Sequence, residues 1–345
     1  MRLCCGIDPR LRPDEVAEQA ALLESVGYDA VHLAETVHDP LAAALLVAEA
    51  TQSIVIRTSV VVAFARSPTL LAYQALDAQR ISDGRFELGL GTQIRQVIED
   101  RYAMTFSPPR ARLRDYVIAI RSLMAAFISG EAATVETEHV TVSRVPAYFN
   151  PGPLDGITPP PVLVGAVRPR MLEMAGEHGD GVITHPTNSD SLYLRSVVYP
   201  AIAKGAALAG RDPSAVRIVA SPNVVTGPDW DSLQGELTRQ RKLLGFLLTT
   251  PAYSSVLERL GCPELGEQLR AQLRDHGDAQ LGELIPDFVL GSIVPAAPFE
   301  ELPELLTQRY GGLVDDLVVR LPPGADGHPR WSAVLASLKE IPGRR

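Results

Sequence analysis

Within the run AETVHDP, Glu35, His38 and Asp39 bring a carboxylate, an imidazole and a second carboxylate close together. An imidazole titrates near neutrality, so His38 is a candidate to move a proton at a reacting atom, with Glu35 beside it. The structural alternative is a capping or solvated loop histidine just ahead of Pro40. His185, in the run THPTN, is the second candidate imidazole. Different chemistry is offered by Gly165, Ala166, Val167 and Arg168, which lead into Pro169-Arg170. Free amides where a helix begins, with arginines close by, suit an anion such as a phosphate. A turn carrying two surface arginines is the alternative there. Gly91-Thr92 adds a hydroxyl and backbone amides, or is a simple turn.

Each of these groups follows a short apolar run, so the elements that position them are legible. Leu3–Ile7 reads as a strand, and Pro13-Asp14-Glu15 starts an amphipathic helix that Gly27 closes. Ala30–Leu33 is a second strand and Pro40–Ala50 a second helix. Ile54 to Val62 is a continuous β-branched run, the pattern of a parallel strand buried on both faces. Ser67-Pro68 then supplies an N-cap and an N1 proline, and Ser82-Asp83-Gly84 ends that helix before the strand Phe86–Leu90. A polar loop, Arg95–Pro109, feeds a helix marked by Leu113, Val117, Ile120, Leu123 and Phe127.

Further strands are expected at Val162–Ala166, Gly181–Thr184, Arg217–Val225 and Asp316–Arg320, with helices at Arg170–Glu177, Ser191–Leu208 and Trp331–Glu340. Eight strands alternating with helices imply a single-domain α/β chain folded as a (β/α)8 TIM barrel, with a doubly wound open sheet as the alternative. Two stretches break the rhythm and read as insertions, at about 130–161 and 226–313. The second holds helical patterns at Leu233–Leu248, Tyr253–Leu260 and Leu265–Arg274 and is expected to form a lid or a dimer surface.

Acidic residues outnumber basic ones, 41 to 32, for a formal charge of −9. With no block dense in Lys or Arg to neutralise phosphates, no nucleic-acid partner is expected. Cys4, Cys5 and Cys262 lack metal-ligand spacing, so buried thiols and no metal are expected. The start MRLCCGIDPR lacks an apolar signal region and no stretch reaches spanning length, which predicts a cytoplasmic protein with no membrane association. Leu41, Leu45 and Leu70 are candidates for an outer apolar row serving a homodimer, or for packing on the barrel.

Four segments together resemble the bacterial luciferase-like superfamily: GYDAVHLAE, TSVVVAFARSPTLLAYQALDAQRISDGRFELGLGT, PVLVGAVRPRMLEMAGEHGDGVI and LLTQRYGGLVDDLVV. AETVHDP followed by VAFARSP and GLGTQI is most similar to the branch of F420-dependent oxidoreductases. The resemblance implies hydride chemistry on coenzyme F420 with a small organic or peptide substrate. FMN in a luciferase-like monooxygenase is the alternative, and a non-catalytic barrel the third. It also implies a non-prolyl cis peptide at about Ser59-Val60 behind the cofactor ring, the cofactor tail at Gly91-Thr92, and its phosphate at Gly165–Arg168. Two positions depart from the family pattern: Thr36 stands where a catalytic His often follows the acid, and Ile94 where sugar-phosphate dehydrogenases have Glu. Both argue against sugar-phosphate chemistry and leave His38 and His185 as the proton-handling candidates.

Overall fold

The β-branched run at 54–62 does not make one uninterrupted strand. In the computed structural model, which describes residues 1–326 and 329–344, it splits into Val55–Thr58 and Val61–Val62. Between them lies a cis peptide bond, Ser59-Val60.

The chain is a (β/α)8 barrel. Its strands are β1 (Arg2–Gly6), β2 (Ala30–Leu33), β3 (Val55–Thr58), β4 (Phe86–Gly91), β5 (Val162–Ala166), β6 (Gly181–Thr184), β7 (Arg217–Ala220) and β8 (Asp316–Val318). They run in the order β3-β2-β1-β8-β7-β6-β5-β4, with Val61–Val62 paired to β4 and a β3–β4 pairing that closes the ring. β7 is shorter than the expected Arg217–Val225, because Pro222 has no N–H to give the ladder.

Two compact units are distinguished: Cys4–Ile183 with Pro200–Ile218, and Met1–Leu3 with Thr184–Tyr199 and Val219–Arg345. In the former, helices α1 (Pro13–Val26), α2 (Pro40–Ala50), α3 (Pro68–Ile81), α4 (Pro109–Ser129) and α5 (Pro169–His178) follow the strands. Gly27 closes α1 at φ 106°, a left-handed conformation that a β-carbon disfavours. The register is held by a carboxylate. Glu24 accepts the amides of Gln52, Ser53 and Ile54 at 3.0, 2.6 and 2.8 Å, fixing the entry to β3. Burial raises its pKa, but those donors together outweigh burial and hold it at about 2.

Inside this unit Arg57 is fully buried, with Nε 2.6 Å from Glu87 Oε2 and Nη1 2.8 Å from His32 Nε2. Arg217 donates to the other Glu87 oxygen at 2.6 Å. A guanidinium and a carboxylate at the centre of a fold persist only when paired in this way. Of the leucines named either for a homodimer face or for packing on the barrel, Leu41 is buried because it lies on the inner side of α2. Leu45 is half-buried, and Leu70 is exposed. The insertion at 130–161 carries an antiparallel pair, Ala133–Glu136 with Thr141–Val145.

In the other unit the insertion at 226–313 has a core of its own. Helix α6 (Trp230–Leu247), helix α7 (Leu265–His276) and the short helices Ser254–Arg259 and Asp287–Ile293 enclose Leu233, Leu244, Val256, Leu269, Leu281 and Val289. A two-stranded parallel pairing, Val225–Gly227 with Ala296–Pro298, closes it. All three cysteines are buried thiols, and Cys262 belongs to this core. The expected helix Ser191–Leu208 is continuous in path but widens to π geometry over Leu194–Val198. Among the described residues, no helix is long and apolar enough to cross a membrane.

Candidate active site

Active sites of α/β barrels form at the carboxyl ends of the strands. At the ends of β3, β4 and β5 the backbone is shaped around one side chain, Val60. A β-carbon built on Gly165 would stand 3.1 Å from Val60 Cγ1, and one built on Gly91 would collide with Val60 Cγ2. Valine is stiff about χ1 and does not swing aside. Glycine at both tips therefore lets the Ser59-Val60 bulge project between them. Ser59, Val60, Gly91 and Gly165, singled out separately in the sequence, come together here.

Glu35, at the end of β2, fixes the bulge from behind. Its Oε2 accepts the Val62 amide at 2.8 Å, and its own amide reaches the Val60 carbonyl at 3.4 Å. Arg66 Nη1 donates to both carboxylate oxygens, at 2.9 and 2.7 Å, and its Nη2 lies 3.3 Å from Asp39 Oδ1. Tyr102 adds its hydroxyl to Glu35 Oε1 at 2.8 Å. Burial works against the Arg66 charge, but Glu35 and Asp39 outweigh it and raise its pKa. Burial, then the Glu35 contact, raises the Tyr102 phenol. Tyr116 of α4 donates to the Arg66 carbonyl at 3.0 Å, holding the segment that carries the guanidinium.

His38 is exposed, near Asp8, Leu33 and Asp39 around a small hollow at the β1 and β2 tips. Asp39 caps α2 by accepting the Leu41 amide at 2.9 Å, so the cap next to Pro40 is the aspartate and not the histidine. Thr92 is half-buried at the end of β4, its hydroxyl 3.1 Å from the Gln93 carbonyl. Ala166 is buried and Val167 half-buried, while Arg168 is exposed at the N-cap of α5. The Arg168 carbonyl accepts the amides of Met171 and Leu172 at 2.9 and 3.1 Å. Pro169 has no N–H, so Arg170 supplies the next amide of the first turn, where the helix provides no acceptor.

In the other unit, His185 follows β6 and is largely buried. The Thr187 amide donates to its Nδ1 at 3.3 Å, and the Thr187 hydroxyl lies 2.8 Å from the same nitrogen. Tyr253, from the long insertion, stacks on the imidazole with ring centroids 4.9 Å apart and brings its hydroxyl to 3.3 Å from Nε2. Burial lowers the His185 pKa to about 4, so the ring is neutral at physiological pH. It raises the Tyr253 phenol.

Arg66, Tyr102 and Tyr253 were not identifiable as site residues from sequence. Arg66 stands in the quoted run VAFARSP, but its target lies on another strand tip. Tyr102 and Tyr253 sit in a polar loop and an insertion without a legible motif.

Comparison with known proteins agrees with this architecture. The pattern of the luciferase-like monooxygenase family matches residues 5–316. An uncharacterized protein of Mycobacterium tuberculosis is 38% identical over 300 residues, covering 87% of each chain. The 5,10-methylenetetrahydromethanopterin reductase of Methanolobus tindarius is 28% identical over 342 residues, covering 97% of each. Among solved structures, the coenzyme F420-dependent tetrahydromethanopterin reductase of Methanopyrus kandleri superposes with a TM-score of 0.77 at 19% identity. That match covers 99% of this chain and 98% of the other. A family match across the barrel, joined to the bulge and glycine tips that its sequence segments supply, makes this chain a member of the luciferase-like monooxygenase family.

Proposed function

We propose that the protein is an F420-dependent oxidoreductase that transfers hydride between the reduced deazaflavin and an organic substrate. The carrying observation is the Val60 bulge seated between Gly91 and Gly165 and held from behind by Glu35. A flat ring system needs a rigid apolar floor, and the glycine tips give Val60 the room that a β-carbon at either position would take from it. The donor set fits such a cofactor. Ser59 and Val60 would back the ring. Gly91 and Thr92 would line its tail, and the α5 entrance at Gly165, Ala166, Val167, Arg168 and Arg170 would take a phosphate. When bound, the deazaflavin supplies the hydride, and the protein supplies placement and the proton.

The reductase relatives support the F420 reading. FMN in a monooxygenase is the second reading, favoured by the name of the family. Proton handling is assigned to the two imidazoles in different ways. His38 is exposed beside Asp39, open to solvent. His185 is neutral at physiological pH, so it acts there through an N–H or a lone pair rather than as an imidazolium. A homodimer through the exposed faces of α2 and α3, which show Leu46 and Leu70, completes the reading.

Parallel titrations with oxidised F420 and with FMN, followed by fluorescence, test the cofactor assignment. Tight binding of F420, weakened about tenfold by Arg168→Ala through loss of a phosphate contact, is expected. Binding of FMN alone would replace the reading with the monooxygenase.

A further inference from the structure

The insertion between β7 and β8 borders a hollow of about 380 Å³, a size that holds a small organic molecule. Its apolar walls are Trp230 and Leu237 of α6, Leu290 of the short helix Asp287–Ile293, and Val294 just after that helix. A missing side chain keeps the space open. Gly291 stands inside the short helix and on the lining, where a β-carbon would meet no atom within 4 Å. Glycine is a poor helix former, so a leucine there would serve the helix better and would fill the hollow.

Charge gives the hollow a preference. Two guanidiniums, Arg241 and Arg309, line it together with one carboxylate, Asp287. Arg241 donates to Asp287 Oδ1, so that pair is internally neutral. Arg309, on the helix Leu302–Tyr310, donates to the carbonyls of Gly291 at 2.8 Å and Ser292 at 3.4 Å. These carbonyls end the short helix and hold the guanidinium in place without a full negative charge. Among the described residues no carboxylate pairs with Arg309, although it is half-buried. A guanidinium offers five N–H donors in one plane, and the two carbonyls take two of them. The rest suit a carboxylate, while Trp230 and the leucines suit an apolar body.

We infer that this hollow is a further binding site, for a small organic anion that joins a carboxylate to an apolar or aromatic body. The carboxylate pairs with Arg309, and the body lies against Trp230 and Leu237. The site does not depend on the cofactor assignment, because every lining residue belongs to the unit that holds the long insertion.

The protein has two tryptophans, Trp230 at the hollow and Trp331 fully buried, which makes the site readable. With 5-fluorotryptophan incorporated, 19F NMR follows both while 3-phenylpropionate, 3-phenylpropanamide or 3-phenylpropylamine is titrated. The three share a body and differ in the charge of the head group. The carboxylate should move the Trp230 resonance with a Kd on the order of 1 mM, the range open to so small a ligand. The amide should bind about tenfold more weakly, and the amine more weakly still. Equal affinities for the three, or no Trp230 response to the carboxylate up to about 10 mM, would overturn the proposal. Arg309→Gln should bring the carboxylate down to the affinity of the amide; unchanged affinity would remove Arg309 as its partner and the proposal with it. Gly291→Leu, whose side chain grows into the hollow, should abolish the response at an unchanged or raised melting temperature. A response that survives Gly291→Leu would place the ligand elsewhere and overturn the site. The comparison of the three ligands uses the wild type, so instability of a variant leaves the test standing.

Discussion

Glu35 Oε2 accepts the Val62 amide at 2.8 Å, so the carboxylate at the end of one strand sets the backbone of the next. The same carboxylate is held by Arg66 and Tyr102. Its geometry is that of a brace behind the proposed ring site, with its oxygens turned to protein donors.

Replacing Glu35 with Gln keeps the shape and removes the charge that Arg66 needs. A hydrogen bond to a charged group contributes about 1.5–3 kcal/mol, so a comparable loss of stability is expected in urea unfolding. F420 affinity should fall with it, because the Val62 amide loses a charged acceptor. Wild-type affinity in Glu35→Gln would show that the brace does not govern the ring site.

Gly91→Ala and Gly165→Ala test the seat of Val60. Overpacking a filled space costs about 1–3 kcal/mol, which corresponds to a loss of roughly 5- to 150-fold if it falls on binding. The larger effect is expected at Gly91, where the added carbon collides with Val60, and the smaller at Gly165, where the approach is 3.1 Å. Isothermal titration with F420 reads both. Val60→Ala in the Gly91→Ala background should recover part of the affinity.

The pH dependence of stability follows from His185. Its pKa in the fold, about 4, lies below the ordinary value of 6.5. Protonation therefore favours the unfolded chain. The contribution is present above pH 6.5 and is lost as the pH falls toward 4, by about 3 kcal/mol. Glu24, at about 2 against 4.5, acts in a lower window, between pH 4.5 and 2. Urea unfolding of wild type and His185→Asn at pH 7 and pH 4.5 separates the two. The variant should lose less stability over that interval.

Glu87 pairs with both Arg57 and Arg217 inside the barrel. Glu87→Gln leaves the fully buried Arg57 charge without its carboxylate, and a destabilisation of about 3–5 kcal/mol is expected. Denaturant titration measures it. A change below about 1 kcal/mol, the range of an exposed pair, would contradict the burial argument.

The strand–helix rhythm was legible because buried parallel strands and capped helices leave local signals. Ser67-Pro68 caps α3 and Gly27 ends α1 as their residue types require. Register and long-range polar contacts leave no such trace. Nothing near Glu35 in sequence announces Arg66 or Tyr102, and the Leu41 side chain turned inward where a local pattern allowed either direction. Tyr253 reaches His185 across 68 positions of chain, through an insertion whose own core sets its path.

The most direct measurement follows deuterium carried as hydride on reduced F420, mixed with the protein and a panel of carbonyl and imine acceptors under anaerobic conditions. One deuterium on the product carbon, with F420 oxidised only when acceptor is present, is the expected result. Unchanged reduced F420 across the panel, with substrate oxygenated instead by reduced FMN and oxygen, would contradict it.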